Sequence, residues 1–221
     1  MPTPPSVLAK RLLLGSDPVR RAIYIVGLMP AVSTFYLGLT DQLGADPQNV
    51  LERTLGLWAL RFLVLTLAVT PLRRLGGPSL IRYRRTLGLL AFYYALMHLL
   101  SVYLVLDKDF DLAAIWADIV KRPYITVGML AFTILVPLAV TSNNASIRRL
   151  GGAAWARLHK LVYVAIAGAA LHFIMLVKVW AVEPLIYAAI VATLLGYRLA
   201  AYWMKPQRRP LDRPSPARTG N

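Results

Sequence analysis

Six long apolar runs govern what this chain can fold into. They cover approximately Ala22 to Leu39, Leu55 to Leu72, Thr86 to Leu106, Tyr124 to Thr141, Leu158 to Val177 and Pro184 to Met204. A bilayer core of roughly 30 Å takes about 20 helical residues at 1.5 Å each, so every run can cross it as a helix. Helices are favoured there because lipid offers the backbone no hydrogen-bond partners. With 57% hydrophobic and 16% charged residues, a single soluble core of 221 residues could not hide the apolar side chains. The expectation is an all-α integral membrane six-helix bundle over residues 22–204. Segment 1–21 precedes it, and a Pro- and Arg-rich tail, 205–221, follows, expected to be disordered and to touch anionic lipid headgroups.

The cations orient the bundle. Lys10, Arg11, Arg20 and Arg21 precede the first run, and Arg73, Arg74, Arg82, Arg84 and Arg85 separate the second from the third. Arg148, Arg149, Arg157 and Lys160 lie between or beside the fourth and fifth, and Lys205, Arg208, Arg209, Arg213 and Arg218 follow the sixth. All four sets fall on one side, and the positive-inside rule makes that side, with both termini, cytoplasmic. The opposite loops carry Asp41, Asp46 and Glu52, then Asp107, Asp109, Asp111 and Asp118, then Glu183. The net charge of +15 is therefore a topology signal and calls for no nucleic acid. Within the longest outer loop, DLAAIWADIVKRP reads as a short amphipathic helix at the interface, either a docking surface or a cover for the bundle. The arginine pair before the first run is followed by no small-x-small cleavage site, which predicts a retained span.

The chain has no cysteine, which excludes disulfides, thiolate-bound iron–sulfur clusters and c-type haem attachment. It also shows no Rossmann or P-loop glycine pattern, so a nicotinamide domain, if required, lies on another protein.

Three histidines stand inside or beside the apolar runs: His98, His159 and His172. A neutral imidazole nitrogen can ligate a metal or a haem iron. His98 stands nine residues before Asp107, the first outer charge, and His172 six residues before Lys178. By helical rise both lie roughly 9 to 14 Å below the outer edge, at comparable depth on helices that can face each other. One imidazole from each of two helices suffices to hold a haem b. Zinc is the weaker reading, because its usual shell takes three or four protein ligands and no Cys, Asp or Glu joins the histidines at depth.

His159 lies thirteen residues before His172, on the cytoplasmic side. It marks a second, inner position, but the residue expected opposite is Arg84 or Arg85, and a guanidinium offers iron no lone pair. Those arginines suit haem propionates, and Arg61, inside the second run, either neutralises a propionate or a quinone headgroup or simply snorkels to the interface. On an ideal helix His159 and His172 point about 140° apart, so two stacked haems would need rotated planes, an altered helical turn or different neighbouring helices.

The stretches LGLLAFYYALMHLLSVY, KRPYITVGMLAFTILVPLAVTS and WARLHKLVYVAIAGAALHF resemble, in that order, the MsrQ (YedZ) family. These are the haem-binding membrane subunits of bacterial periplasmic methionine sulfoxide reductase systems, within the ferric reductase-like transmembrane group. The resemblance implies that His98, His159 and His172 are haem-associated, with one haem b and a second left open, since the wider group's inner histidine on the third span is absent here. It further implies FMN, a bacterial inner-membrane location, electrons from the quinone pool or a cytosolic flavin reductase, and a periplasmic molybdopterin partner that repairs oxidised methionines. The chain would then be a non-catalytic electron-transfer subunit. The alternative is a transporter or scaffold using its histidines for protons or packing.

Overall fold

In a computed structural model, the structure describes residues 17–100, 111–177 and 181–204. Among these, every regular element is helical. In chain order they are α1 (Pro18–Leu39), α2 (Pro47–Arg74), a 3-10 turn (Ile81–Tyr83), α3 (Arg84–Leu96), α4 (Leu112–Lys121), α5 (Pro123–Val140), α6 (Asn144–Leu150), α7 (Gly152–Leu158), a second 3-10 turn (His159–Leu161), α8 (Val162–Leu176) and α9 (Val182–Trp203). Five helical stretches are long and apolar enough to cross a membrane: α1, α2, α5, the continuous Gly152–Leu176 stretch, and α9. The third expected span, Thr86 to Leu106, is described only as α3 with π-helical turns through residues 97–100, and its remainder lies outside the described residues. So do the tail 205–221, residues 1–16 and part of the long outer loop.

Capping residues move two helix starts outward from the apolar runs. Asp17 and Asp46, each followed by proline, cap α1 and α2 and accept the backbone N–H of Val19 and Asn49. Proline fits the first helical position because its missing N–H would be unpaired there anyway. Helix α2 consequently begins at Pro47, a full two turns before the apolar run from Leu55. The expected interfacial helix forms as α4, with Asp111 accepting from the N–H groups of Ala113 and Ala114.

The core is organised around α2, which packs most closely on α3, while α5 packs on α8 and α8 on α9. Leu55, Leu63 and Leu67 of α2 meet Leu90, Ala91 and Tyr94 of α3 and Ala165 and Ile166 of α8, all nearly or fully buried. Helix α1 turns the small face Gly27, Ala31 and Thr34 inward and leaves Ile25, Val26, Met29 and Val32 exposed. Small inward residues let helix backbones approach closely, which is how helices associate when lipid is as apolar as their side chains.

Tyr94 ties α3 to α1. Its hydroxyl donates to the Gly27 carbonyl (2.7 Å) and accepts the Ala31 N–H (3.0 Å), two groups that form one rung of the α1 ladder beside Pro30. Proline loosens a helix locally, and a neighbouring hydroxyl can then enter the ladder. Tyr94→Phe is expected to lower stability by about 1–2 kcal/mol in detergent unfolding, the value of a buried hydrogen bond left unmade. An unchanged midpoint would mean that the rung closes by itself.

Candidate functional site

His98 stands in the π-helical turns that continue α3, and His172 in the last full turn but one of α8. Wide π turns rotate the side chains they carry and recur at functional sites. The two rings lie 6.5 Å apart between centroids with planes inclined by 74°. The matched depth read from sequence thus brings these two imidazoles together.

Each ring is held by a different helix through the same pair of features. His98 Nδ1–H donates to the backbone carbonyl of Glu52 on α2 (2.9 Å), and His172 Nδ1–H to that of Tyr124 on α5 (2.6 Å). A carbonyl only accepts, so each Nδ1 carries the proton and each Nε2 retains its lone pair. Four residues on from each carbonyl is a glycine: Gly56 after Glu52, and Gly128 after Tyr124. A Cβ at Gly56 would stand 3.2 Å from His98 Nδ1, and one at Gly128 only 2.8 Å from His172 Nδ1. The missing side chains are what allow each ring to lie against the helix and reach its carbonyl. Neither glycine nor carbonyl was named from sequence, although the shared spacing is present in it.

Both histidines line a cavity of about 820 Å³. Its deep walls are apolar, with Leu60, Leu63, Phe132 and Leu135 among them, and its rim carries Asp46, Glu52, Arg53, Arg122 and Glu183. Both imidazoles line this cavity, and with Nδ1 donating to a carbonyl each keeps Nε2 as a nitrogen donor, a two-nitrogen set. Among the described residues no cluster of three or more His, Asp or Glu could hold a bare metal ion.

The other residues singled out from sequence lie elsewhere. His159 opens the 3-10 turn between α7 and α8. Its ring stacks on Trp155 at 3.9 Å, and its Nε2 is 3.0 Å from Thr141 Oγ1. Thr141 gives its one proton to the Pro137 carbonyl (2.6 Å), so His159 Nε2–H is the donor to Oγ1. Arg85 donates to Asn144 Oδ1 (3.0 Å), and Arg84 begins α3 at the same end of the bundle. Arg61 Nε donates to Tyr187 Oη (2.9 Å) while its guanidinium lies 4.8 Å over the Trp58 ring. None of His159, Arg84, Arg85 and Arg61 lines the cavity that His98 and His172 share.

Residues 55–170 match the family described as Ferric reductase like transmembrane component. Over 192 residues the chain is 62% identical to the protein-methionine-sulfoxide reductase heme-binding subunit MsrQ of Brucella ovis, covering 87% of this chain and 86% of that one. The proteins of the same description from Brucella canis and Brucella suis match to the same degree. No solved structure matches the chain. Apolar helices of spanning length, together with likeness at this level over most of both sequences, make this a multi-pass membrane protein that belongs to the MsrQ family of ferric reductase-like transmembrane components.

Proposed function

We propose that the chain is a b-type cytochrome of the bacterial inner membrane, holding haem between His98 and His172 and passing electrons to a periplasmic methionine sulfoxide reductase. The observation that carries this reading is the pair of Nδ1-anchored imidazoles facing one cavity. His98 and His172 are the residues that would hold the haem, one imidazole from each of two helices. The ring centroids stand 6.5 Å apart, and the donor set is one that a porphyrin iron, which brings four nitrogens of its own, can complete. The cavity volume is also within the range of cofactor sites.

When bound, the haem supplies a reversible one-electron centre. The chain supplies its setting. The Glu52 and Tyr124 carbonyls fix the tautomer and ring orientation of His98 and His172 and raise their basicity as ligands. Apolar walls on α2, α5 and α8 exclude water and keep the local dielectric low. With the haem in place, electrons would enter from the arginine-rich side, from quinol or a cytosolic flavin reductase, on the side of the bundle where His159 lies, and would leave beneath the acidic loops to a molybdopterin partner. The positive-inside rule supports that orientation, with both termini cytoplasmic. FMN and the identity of donor and acceptor rest on the family resemblance. A second haem beside His159 is the open alternative, decided by the haem-to-protein ratio.

The test is an absorption spectrum of the purified chain after haem-supplied expression. A low-spin haem signal is expected, lost in His98→Ala and equally in His172→Ala, and kept in His159→Ala. Absence of a Soret band would leave the transporter or scaffold reading, and independent losses in the two variants would refute a shared site.

A further inference from the structure

The cavity rim carries an arginine on each of two facing walls. Arg53 directly follows Glu52, whose carbonyl anchors His98, and stands three residues before Gly56. Arg122 caps α5 two residues before Tyr124, whose carbonyl anchors His172. They are the only cations among the described residues that line the cavity, and both are exposed where it opens. Arg122 is braced there, its Nε 3.2 Å from Asp118 Oδ1 and its Nη1 donating to Tyr124 Oη at 3.2 Å. The carboxylates of Asp46, Glu52 and Glu183 share that rim, so an anion settles there only if it meets the guanidinium groups directly.

A haem carries its two carboxylates on one edge, and one held by His98 and His172 would have to place that edge against some part of the cavity lining. The deep walls offer that edge no charge, whereas the rim offers one fork-shaped donor from each side. Planar guanidinium groups match carboxylates in a two-point contact. We propose that Arg53 and Arg122 bind the two haem carboxylates and so direct that edge toward the acidic end of the bundle. This assignment rests on the haem reading above and replaces Arg84, Arg85 and Arg61, which lie off the cavity. It also has a consequence for electron exit: the carboxylate edge becomes the one nearest the acidic loops.

The test compares wild type, Arg53→Gln, Arg122→Gln and the double variant. Each full-length chain is purified in detergent and loaded with either haem or haem dimethyl ester, which has no free carboxylates. Transfer of the porphyrin to apomyoglobin gives the release rate. With haem, each substitution is expected to speed release about ten-fold, the scale of one charge-assisted hydrogen bond, while the low-spin spectrum persists. With the ester, the substitutions should change nothing, because the group they recognise is gone. Equal release rates for all chains loaded with haem would overturn the arginine assignment and leave the cytochrome reading intact. Equal acceleration with haem and with ester would also overturn it, pointing to a rim that merely holds the fold together. If the wild type takes up neither porphyrin, both readings fail together. Arg53→Lys and Arg122→Lys, which keep charge but lose the fork, should fall between wild type and glutamine.

Discussion

A single methyl group at Gly128 is expected to weaken haem retention by about 10- to 100-fold, the usual cost of disturbing the group that orients a metal-binding histidine. In Gly128→Ala the new Cβ would lie 2.8 Å from His172 Nδ1, closer than real Cβ atoms come to a neighbour, and 3.0 Å from Cε1. The ring must move off α5, and its hydrogen bond to the Tyr124 carbonyl then lengthens or breaks. Gly56→Ala should do the same to His98 more mildly, since its Cβ would meet Nδ1 at 3.2 Å. Alanine favours a helix over glycine by roughly 1 kcal/mol, which offsets most of the cost of the displaced hydrogen bond, so the haem-free variants should melt close to wild type. The measurement is haem release to apomyoglobin set beside the thermal midpoint of the haem-free chain. Equal release from both variants and wild type, or a larger effect at Gly56, would show that the glycines do not set the ring positions.

The sequence already contains much of this arrangement, and what it hides is informative. Spanning length and charge asymmetry are properties of single segments, so the apolar runs of α1, α2, α5, α8 and α9 could be read directly. The pairing of His98 with His172 followed from depth, because rise per residue converts position along a helix into height. Angular position does not transfer so well: the π turns at residues 97–100 and the 3-10 turn at His159–Leu161 reset it. Roles that exist only between helices were not legible. Gly56 and Gly128 look like ordinary membrane glycines until a neighbouring ring is placed on them. The cavity lining shows the same limit: Arg53 and Arg122 line it while Arg84 and Arg85 do not, and only the packing of the helices separates the two pairs. The Asp-Pro pairs at Asp17 and Asp46 are a different case, for they are local cap signals, and hydropathy alone passes over them.

Arg198 shows most clearly what pattern reading passes over. It sits inside α9, in the last expected span, and a cation in such a place requires a partner. Its Nη2 donates to the Leu67 carbonyl (2.7 Å) and its Nη1 to Tyr163 Oη (3.0 Å), with the guanidinium 5.1 Å from the Tyr163 ring centroid. The Leu67 carbonyl needs that donor because the residue four positions on, whose N–H would normally reach it, is Pro71. Arg198 therefore supplies the hydrogen bond that the α2 proline removes, and in doing so fastens α9 to α2 and α8. Arg198→Met is expected to cost about 2–3 kcal/mol, a charge-assisted bond lost together with a buried carbonyl left unpaired. In a Pro71→Ala background the restored N–H serves Leu67, and the same substitution should cost about 1 kcal/mol less. Unfolding midpoints of the four chains in one detergent close this double-mutant cycle. Strict additivity would show that Arg198 holds the bundle through Tyr163 alone and that the proline is incidental to it.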